Sequence, residues 1–74
     1  MVLLRQLLGD VLRQLRLRQG RTLREVSAAA RVSLGYLSQI ELGKNSASIE
    51  TLYRISLGLG IKMSELFESV QMPR

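Results

Sequence analysis

The sequence predicts an all-α protein, a compact bundle of five short helices with a helix-turn-helix at about residues 23–42. Apolar residues recur at intervals of three and four in five successive segments, which is the spacing of one helix face. Glycines follow several of these segments, as they commonly do after helix ends (Gly20, Gly43, Gly58 and Gly60). The chain has 74 residues, so we expect a single domain at 1–70 and a C-terminal tail at 71–74.

The first two helices are predicted from an apolar stripe and from a capping signal. The first covers about residues 3–18, and its stripe consists of Leu4, Leu7, Leu8, Val11, Leu12 and Leu15. Gly9 lies within this helix and is expected to cost about 1 kcal/mol relative to alanine. The second covers about residues 23–30, because Thr22 with Glu25 three residues later is a capping box.

The third helix is predicted at about 34–42, with Ser33 as its N-cap and with Leu37 and Ile40 facing the core. Only three residues separate it from the second helix. Two short helices joined by so short a turn cross steeply, which is helix-turn-helix geometry. Val32 lies within the turn, and we expect it to fill the angle between the two helices.

The last two helices are predicted at about 49–58 and 63–69. The fourth helix has the apolar stripe Ile49, Leu52, Ile55 and Leu59, and the fifth has the apolar residues Met63, Leu66 and Phe67. Ser48 is a suitable N-cap for the fourth helix. Lys62 stands at the start of the fifth, where it provides no capping acceptor.

Positive charge is concentrated in the first part of the chain. The net charge is +5; residues 1–31 contain seven Arg and two acidic residues, whereas residues 32–74 contain four basic and four acidic residues. Such an excess favours an anionic polymer as partner. The alternative is the ordinary solvated surface of a basic domain.

The absence of Cys and His excludes several classes of protein. Disulfides, Cys/His zinc sites and Ser-His or Cys-His nucleophiles are all impossible. Glu65 and Glu68 are interpreted as solvated carboxylates of a surface helix. We therefore expect no enzyme activity, no metal, no cofactor and no small-molecule ligand.

The N-terminal residues MVLLRQLLGDVLRQLRLRQG are interrupted by Arg and Asp, so no export signal is predicted and a cytoplasmic location is expected. A membrane-surface helix at residues 2–18 is an alternative, because a basic amphipathic helix suits that role. The core needs the same apolar stripe, however, so we expect no membrane partner.

The residues from Val11 to Phe67 resemble the Cro/CI-type helix-turn-helix regulators of the XRE family. The resemblance is carried by the ordered run QGRTLREVSAAARVSLGYLSQIELGKNSASIETLYRISLGLGIKMSELF. Residues 11–41 look like actinobacterial regulators of Clp protease genes, and the short length is similar to controller proteins of restriction–modification systems. The resemblance implies a lambda-repressor-like fold and a repressor-type regulator that binds specific double-stranded DNA.

The resemblance also implies which residues bind DNA, with the third helix in the major groove. The implied set is Arg24, Ser33, Leu34, Gly35, Tyr36, Ser38, Gln39, Lys44 and Asn45. Of these, Leu34, Gly35 and Gln39 match the positions nearest the base edges, and a Gln can pair with adenine. Tyr36 is left open between a phosphate contact and packing over the second helix.

Arg31 departs from the family, which usually has Gly in the turn, so a left-handed Arg31 would store about 1 kcal/mol.

Two structural roles follow from the resemblance and from composition. The family places a partly buried ion pair at Arg16 and Glu41. The fifth helix carries more apolar residues than a short terminal helix can bury, so we expect a homodimer through Met63, Leu66, Phe67 and Val70. The alternative function is an antitoxin-type or other protein-interaction module that uses the same domain.

Overall fold

The computed structural model describes residues 3–70, which form five helices and, within that range, no strand. The helices are α1 (Leu4–Arg18), α2 (Leu23–Ala30), α3 (Leu34–Glu41), α4 (Ile49–Leu59) and α5 (Met63–Ser69). All five predicted helices are present, and every end lies within one residue of its predicted position. The predicted tail at 71–74 lies outside the described residues.

The core is a single cluster to which all five helices contribute. Its buried members are Leu12, Val26, Ala30, Leu37, Ile40, Leu52, Ile55, Leu59 and Leu66. α2 packs most extensively on α4, and α1 packs on α3. Val32, in the turn after α2, is half-buried against the cluster, so it fills the angle between α2 and α3 as predicted.

Four of the helices end in the same way, with a residue in the left-handed region. The φ angles are 65° at Gly20, 57° at Arg31, 74° at Gly43 and 71° at Gly60. After Arg31, the Val32 amide returns to the Ser27 carbonyl at 3.1 Å, which satisfies an otherwise free helix-end acceptor. Arg31 thus adopts the left-handed conformation for which a cost of about 1 kcal/mol is expected from the sequence.

Gly58 corrects one prediction. It was expected to follow a helix, but it lies inside α4, and α4 ends at Gly60 instead. A β-carbon at Gly58 would lie 3.0 Å from the backbone nitrogen of Ala30. Gly58 therefore permits the close approach of α4 to α2.

Side chains from the α1–α2 loop cap the end of α4. Gln19 Nε2 donates to the Leu59 carbonyl at 2.7 Å, and Arg21 Nη1 donates to the Gly58 carbonyl. A cation at a helix C-terminus also interacts favourably with the helix dipole. The loop before α2 is thus fixed to the C-terminal end of α4.

Four of the six residues of the α1 stripe contribute to the core. Leu12 is buried, and Leu8, Val11 and Leu15 pack against the core. Leu4 was predicted to face inward but is 63% exposed. None of the helices formed by residues 3–70 is long and apolar enough to cross a membrane.

Candidate nucleic-acid interface

Hydrogen bonds fix the helix starts on both sides of the turn. The Thr22 hydroxyl accepts from the Glu25 amide at 3.1 Å, and the Glu25 carboxylate accepts from the Thr22 amide at 2.8 Å. The predicted capping box is present, and the hydrogen bond donated by the Thr22 amide is the main cause of the lowered pKa of the Glu25 carboxyl. After the turn, Ser33 caps α3 by accepting from the Tyr36 amide at 3.1 Å.

One face of α3 is buried, and this determines which face is presented to solvent. Leu37 and Ile40 are each 1% exposed, as predicted. Tyr36 packs at the edge of the core, and its hydroxyl donates to the Ser46 carbonyl at 3.2 Å. The hydroxyl proton of Tyr36 is therefore engaged within the chain, and donation to a phosphate would require breaking this hydrogen bond.

The opposite face of α3 carries the residues expected to contact bases. Leu34 is 37% exposed. A β-carbon added at Gly35 would have no atom within 4 Å, so this position faces open space. Ser33 is exposed, and Ser38 and Gln39 are half-buried. We call these five residues the outer face of α3.

Basic and polar side chains lie on both sides of this outer face in the chain order. Arg24, in the first turn of α2, is exposed, and so are Lys44 and Asn45 after α3. The amides of Lys44 and Asn45 both donate to the Gln39 carbonyl, at 2.9 and 3.3 Å. The loop after α3 is therefore anchored to the same helix that carries the outer face.

The predicted ion pair between α1 and α3 is present. Arg16 Nε donates to Glu41 Oε2 at 2.9 Å and Arg16 Nη2 donates to Glu41 Oε1 at 3.0 Å, so the pair is bidentate. The hydrogen bond to Glu41 raises the pKa of the Arg16 guanidinium. Arg16 Nη1 also donates to the Arg21 carbonyl at 2.9 Å. Glu41 is only 7% exposed, so the pair is enclosed by the fold.

Gly9 is required where α1 contacts α3. This corrects the prediction that Gly9 only lowers the helix stability of α1. A β-carbon at Gly9 would lie 2.4 Å from the Ile40 carbonyl oxygen and 2.8 Å from that of Glu41. These distances are below any van der Waals contact. Gly9 therefore lets the backbones of α1 and α3 meet, and no pattern within α1 alone indicates this.

Three large apolar side chains remain exposed around one groove. Leu4 is 63% exposed, Ile49 is 70% exposed and Phe67 is 48% exposed. They line the groove together with Arg5, Leu8, Ser46, Ala47, Leu52 and Val70. We call this surface the apolar groove. Ile49 was predicted to face the core, and the structure contradicts that.

The predicted dimer residues divide between this groove and the core. Phe67 and Val70 line the groove. Leu66 is 0% exposed, and Met63 packs half-buried against the core. The expectation that Leu66 contacts a partner is therefore wrong, because the neighbouring helices cover it completely.

Within residues 3–70 no group of three or more acidic side chains is arranged to hold a metal ion. The polar side chains on α3 and next to it in the chain offer hydrogen-bond donors, hydrogen-bond acceptors and cations. α2, the turn and α3 thus form a helix-turn-helix unit with one solvent-facing side of α3, and exposed basic residues precede and follow that helix in the chain.

Comparisons with known proteins agree with this class. A family model described as helix-turn-helix matches residues 12–66. Transcriptional regulator ClgR of Mycobacterium tuberculosis (strain ATCC 25618 / H37Rv) is 56% identical over 62 residues, which cover 84% of this chain and 55% of the relative. Control protein C.MunI of Mycoplasma sp is 42% identical over 65 residues, covering 85% of this chain and 86% of that protein.

Solved structures show the same fold. The crystal structure of the clp gene regulator ClgR from Corynebacterium glutamicum has a TM-score of 0.88 at 40% identity, and the match covers 93% of this chain and 73% of that chain. The chain belongs to the XRE-type helix-turn-helix family of transcriptional regulators. It spans about half the length of the ClgR relative from M. tuberculosis. These relatives are regulators and not enzymes, in agreement with the expectation from the sequence.

Proposed function

We propose that the protein is a transcriptional regulator that binds specific double-stranded DNA in the cytoplasm, with α3 in the major groove. The observation that carries this proposal is the two-sidedness of α3. Leu37 and Ile40 are buried, whereas Leu34 and Gly35 on the outer face are exposed. A major groove of B-DNA is wide enough to admit such a helix.

The contacts divide into base contacts and backbone contacts. Gln39 is placed to pair with adenine, and Leu34 offers an apolar contact to a thymine methyl group. Gly35 allows the DNA to approach the backbone of α3 closely. Arg24 and Lys44 supply cations for phosphates.

The protein is proposed to act as a homodimer whose two copies share the apolar groove. Soluble monomers seldom leave contiguous large apolar side chains exposed, and Leu4, Ile49 and Phe67 form such a surface. A two-fold dimer places two copies of α3 on half-sites about one helical turn apart. In the alternative function the groove binds a different protein, and the chain alone then stays monomeric.

The decisive experiment is selection of bound duplexes from a random pool, followed by binding measurements on variants. Gln39→Ala is expected to relax preference at one base pair in each half-site, worth about 1–3 kcal/mol of discrimination. Arg24→Ala is expected to weaken all duplexes alike and to reduce the slope of log affinity against log salt by about one for each copy.

Two results would refute the proposal. One is recovery of no preferred sequence from the pool by the unaltered protein. The other is a Gln39→Ala variant that retains the full preference of the parent, since the adenine contact proposed for Gln39 would then have no part in sequence recognition.

A further inference from the structure

We propose that Arg5, in the first turn of α1, is a positioning residue for the DNA backbone contacts made by the loop after α3. This inference rests on the proposed function. Arg5 Nε donates to the Gly43 carbonyl at 2.8 Å, although the two residues are 38 positions apart in the chain. The hydrogen bond carries a charge on its donor, and such bonds are roughly twice as strong as neutral ones.

Gly43 is the point at which the chain leaves α3 for this loop. It adopts a left-handed conformation with φ of 74°, and its own amide donates to the Ile40 carbonyl at 3.0 Å. The next amide, that of Lys44, donates to the Gln39 carbonyl at 2.9 Å. Arg5 holds the carbonyl of the same peptide unit from the opposite side, so both ends of the Gly43–Lys44 peptide are fixed.

A second contact from α1 restrains the same glycine. A β-carbon at Gly43 would lie 2.9 Å from Gln6 Cγ, so Gln6 covers Gly43 directly. The Gln6 side-chain oxygen accepts from the Leu3 amide at 3.2 Å, which caps α1 at its start. Two neighbouring residues in the first turn of α1, Arg5 and Gln6, therefore both contact Gly43, where the loop after α3 begins.

The consequence concerns Lys44 and Asn45, the two exposed side chains that follow. Fixing the peptide before them reduces the conformational freedom that they lose on binding a phosphate, and preorganisation of this kind increases affinity. The Arg5 guanidinium also places a cation at the Gly43–Lys44 peptide. Since phosphate contacts carry no sequence information, Arg5 affects affinity for all duplexes without changing base preference.

The test compares Arg5→Met with Arg13→Met. Methionine keeps an unbranched apolar stem where Arg5 lines the apolar groove but removes the donor and the charge. Arg13 is exposed on the same helix and makes no side-chain hydrogen bond among residues 3–70. Arg13→Met thus controls for the loss of one charge, and thermal melts with sedimentation confirm that each variant keeps the fold and assembly of the parent.

Arg5→Met is expected to weaken binding to specific and non-specific duplexes by about five- to tenfold, and Arg13→Met by at most about twofold. In the double variant with Lys44→Met, the Arg5→Met effect is expected to shrink below about twofold, because the contact that it positions is already absent. Equal losses for Arg5→Met and Arg13→Met, or fully multiplicative losses in the double variant, would overturn the inference.

A measurement without DNA separates this inference from the proposed function. Hydrogen exchange at the Lys44 and Asn45 amides is expected to accelerate by about tenfold in Arg5→Met and to stay unchanged in Arg13→Met. Unchanged exchange in Arg5→Met would overturn the positioning role whatever happens on DNA. If exchange accelerates but the parent binds no duplex, the positioning contact stands and the proposed function fails.

Discussion

Two surfaces of α1 meet the rest of the molecule in opposite ways. At the α1–α3 junction, Gly9 brings two backbones together and Arg16 pairs with Glu41 in an enclosed, bidentate contact. At the apolar groove, Leu4 and its neighbours on other helices remain exposed. The junction is complete within one chain, whereas the groove leaves apolar area uncovered by residues 3–70.

The α1–α3 junction and the apolar groove also differ in how strictly their contacts fix an orientation. A bidentate Arg–carboxylate pair has a defined geometry, so the junction fixes how α3 is rotated about its own axis and which face it presents. Apolar contact is non-directional, so in the proposed dimer the groove would supply affinity between copies and leave the orientation of α3 to the junction.

The largest expected effect comes from breaking the junction at its ion pair. Arg16→Ala is expected to lower the free energy of unfolding by about 3 kcal/mol, because Glu41 is left as a buried, unpaired carboxylate. The control is Arg54→Ala, which removes the exposed pair with Glu50 at 2.8 Å and should cost less than about 0.5 kcal/mol. Urea denaturation of both variants checks this, and similar midpoints would show that enclosure of the first pair has no consequence.

The next effect tests the backbone contact of the same junction. Gly9→Ala is expected to destabilise the fold by about 2 kcal/mol, although helix propensity alone predicts a gain of about 1 kcal/mol. Gly35→Ala is the matched control, because its β-carbon meets open space, and it should stabilise by up to about 1 kcal/mol. Thermal melts of the two variants should shift in opposite directions; a stabilised Gly9→Ala protein would contradict the close approach.

The third prediction concerns the groove. Ile49→Ser combined with Phe67→Ser is expected to raise the dimer dissociation constant by at least about tenfold while the fold is retained, since both side chains are largely exposed already. Leu57→Ser, on α4 but outside the groove, removes a side chain that is 59% exposed and should leave the dimer intact. Sedimentation equilibrium measures the dimer dissociation constant of the double variant and of the Leu57→Ser control. Equal effects of the two changes, or a monomeric parent at high micromolar concentration, would place the assembly surface elsewhere.

The smallest effect is expected at Arg31, because its turn belongs neither to the α1–α3 junction nor to the apolar groove. Arg31→Gly is expected to stabilise the fold by about 1 kcal/mol by relieving the left-handed strain, with dimerisation unchanged. Arg31→Ala keeps the β-carbon and should give no such gain. Chemical denaturation measures both, and an equal gain from alanine would point to loss of charge as the cause.

The sequence predicts the helices well because their signals are local. The capping residues Thr22 and Ser33 specify where α2 and α3 begin, and glycines such as Gly60 specify where helices end. The resemblance to a known family adds the Arg16–Glu41 pair, whose partners are 25 residues apart and share no local pattern.

The errors have a common physical origin. Helical periodicity identifies which residues share a face, but it does not say whether another element covers that face. Leu4 and Ile49 lie on apolar stripes that extend beyond their covering neighbours, whereas Leu66 is covered completely. The role of Gly9 was likewise missed, because it depends on the backbone of a helix about 30 residues away in the chain.

α3 has only eight residues, and isolated helices of that length are not stable in water. A peptide cut from this region would therefore have no fixed shape, and its affinity for DNA would collapse. Under the proposed function, redesign of operator choice should leave the scaffold intact and exchange only the residues at positions 34, 35 and 39.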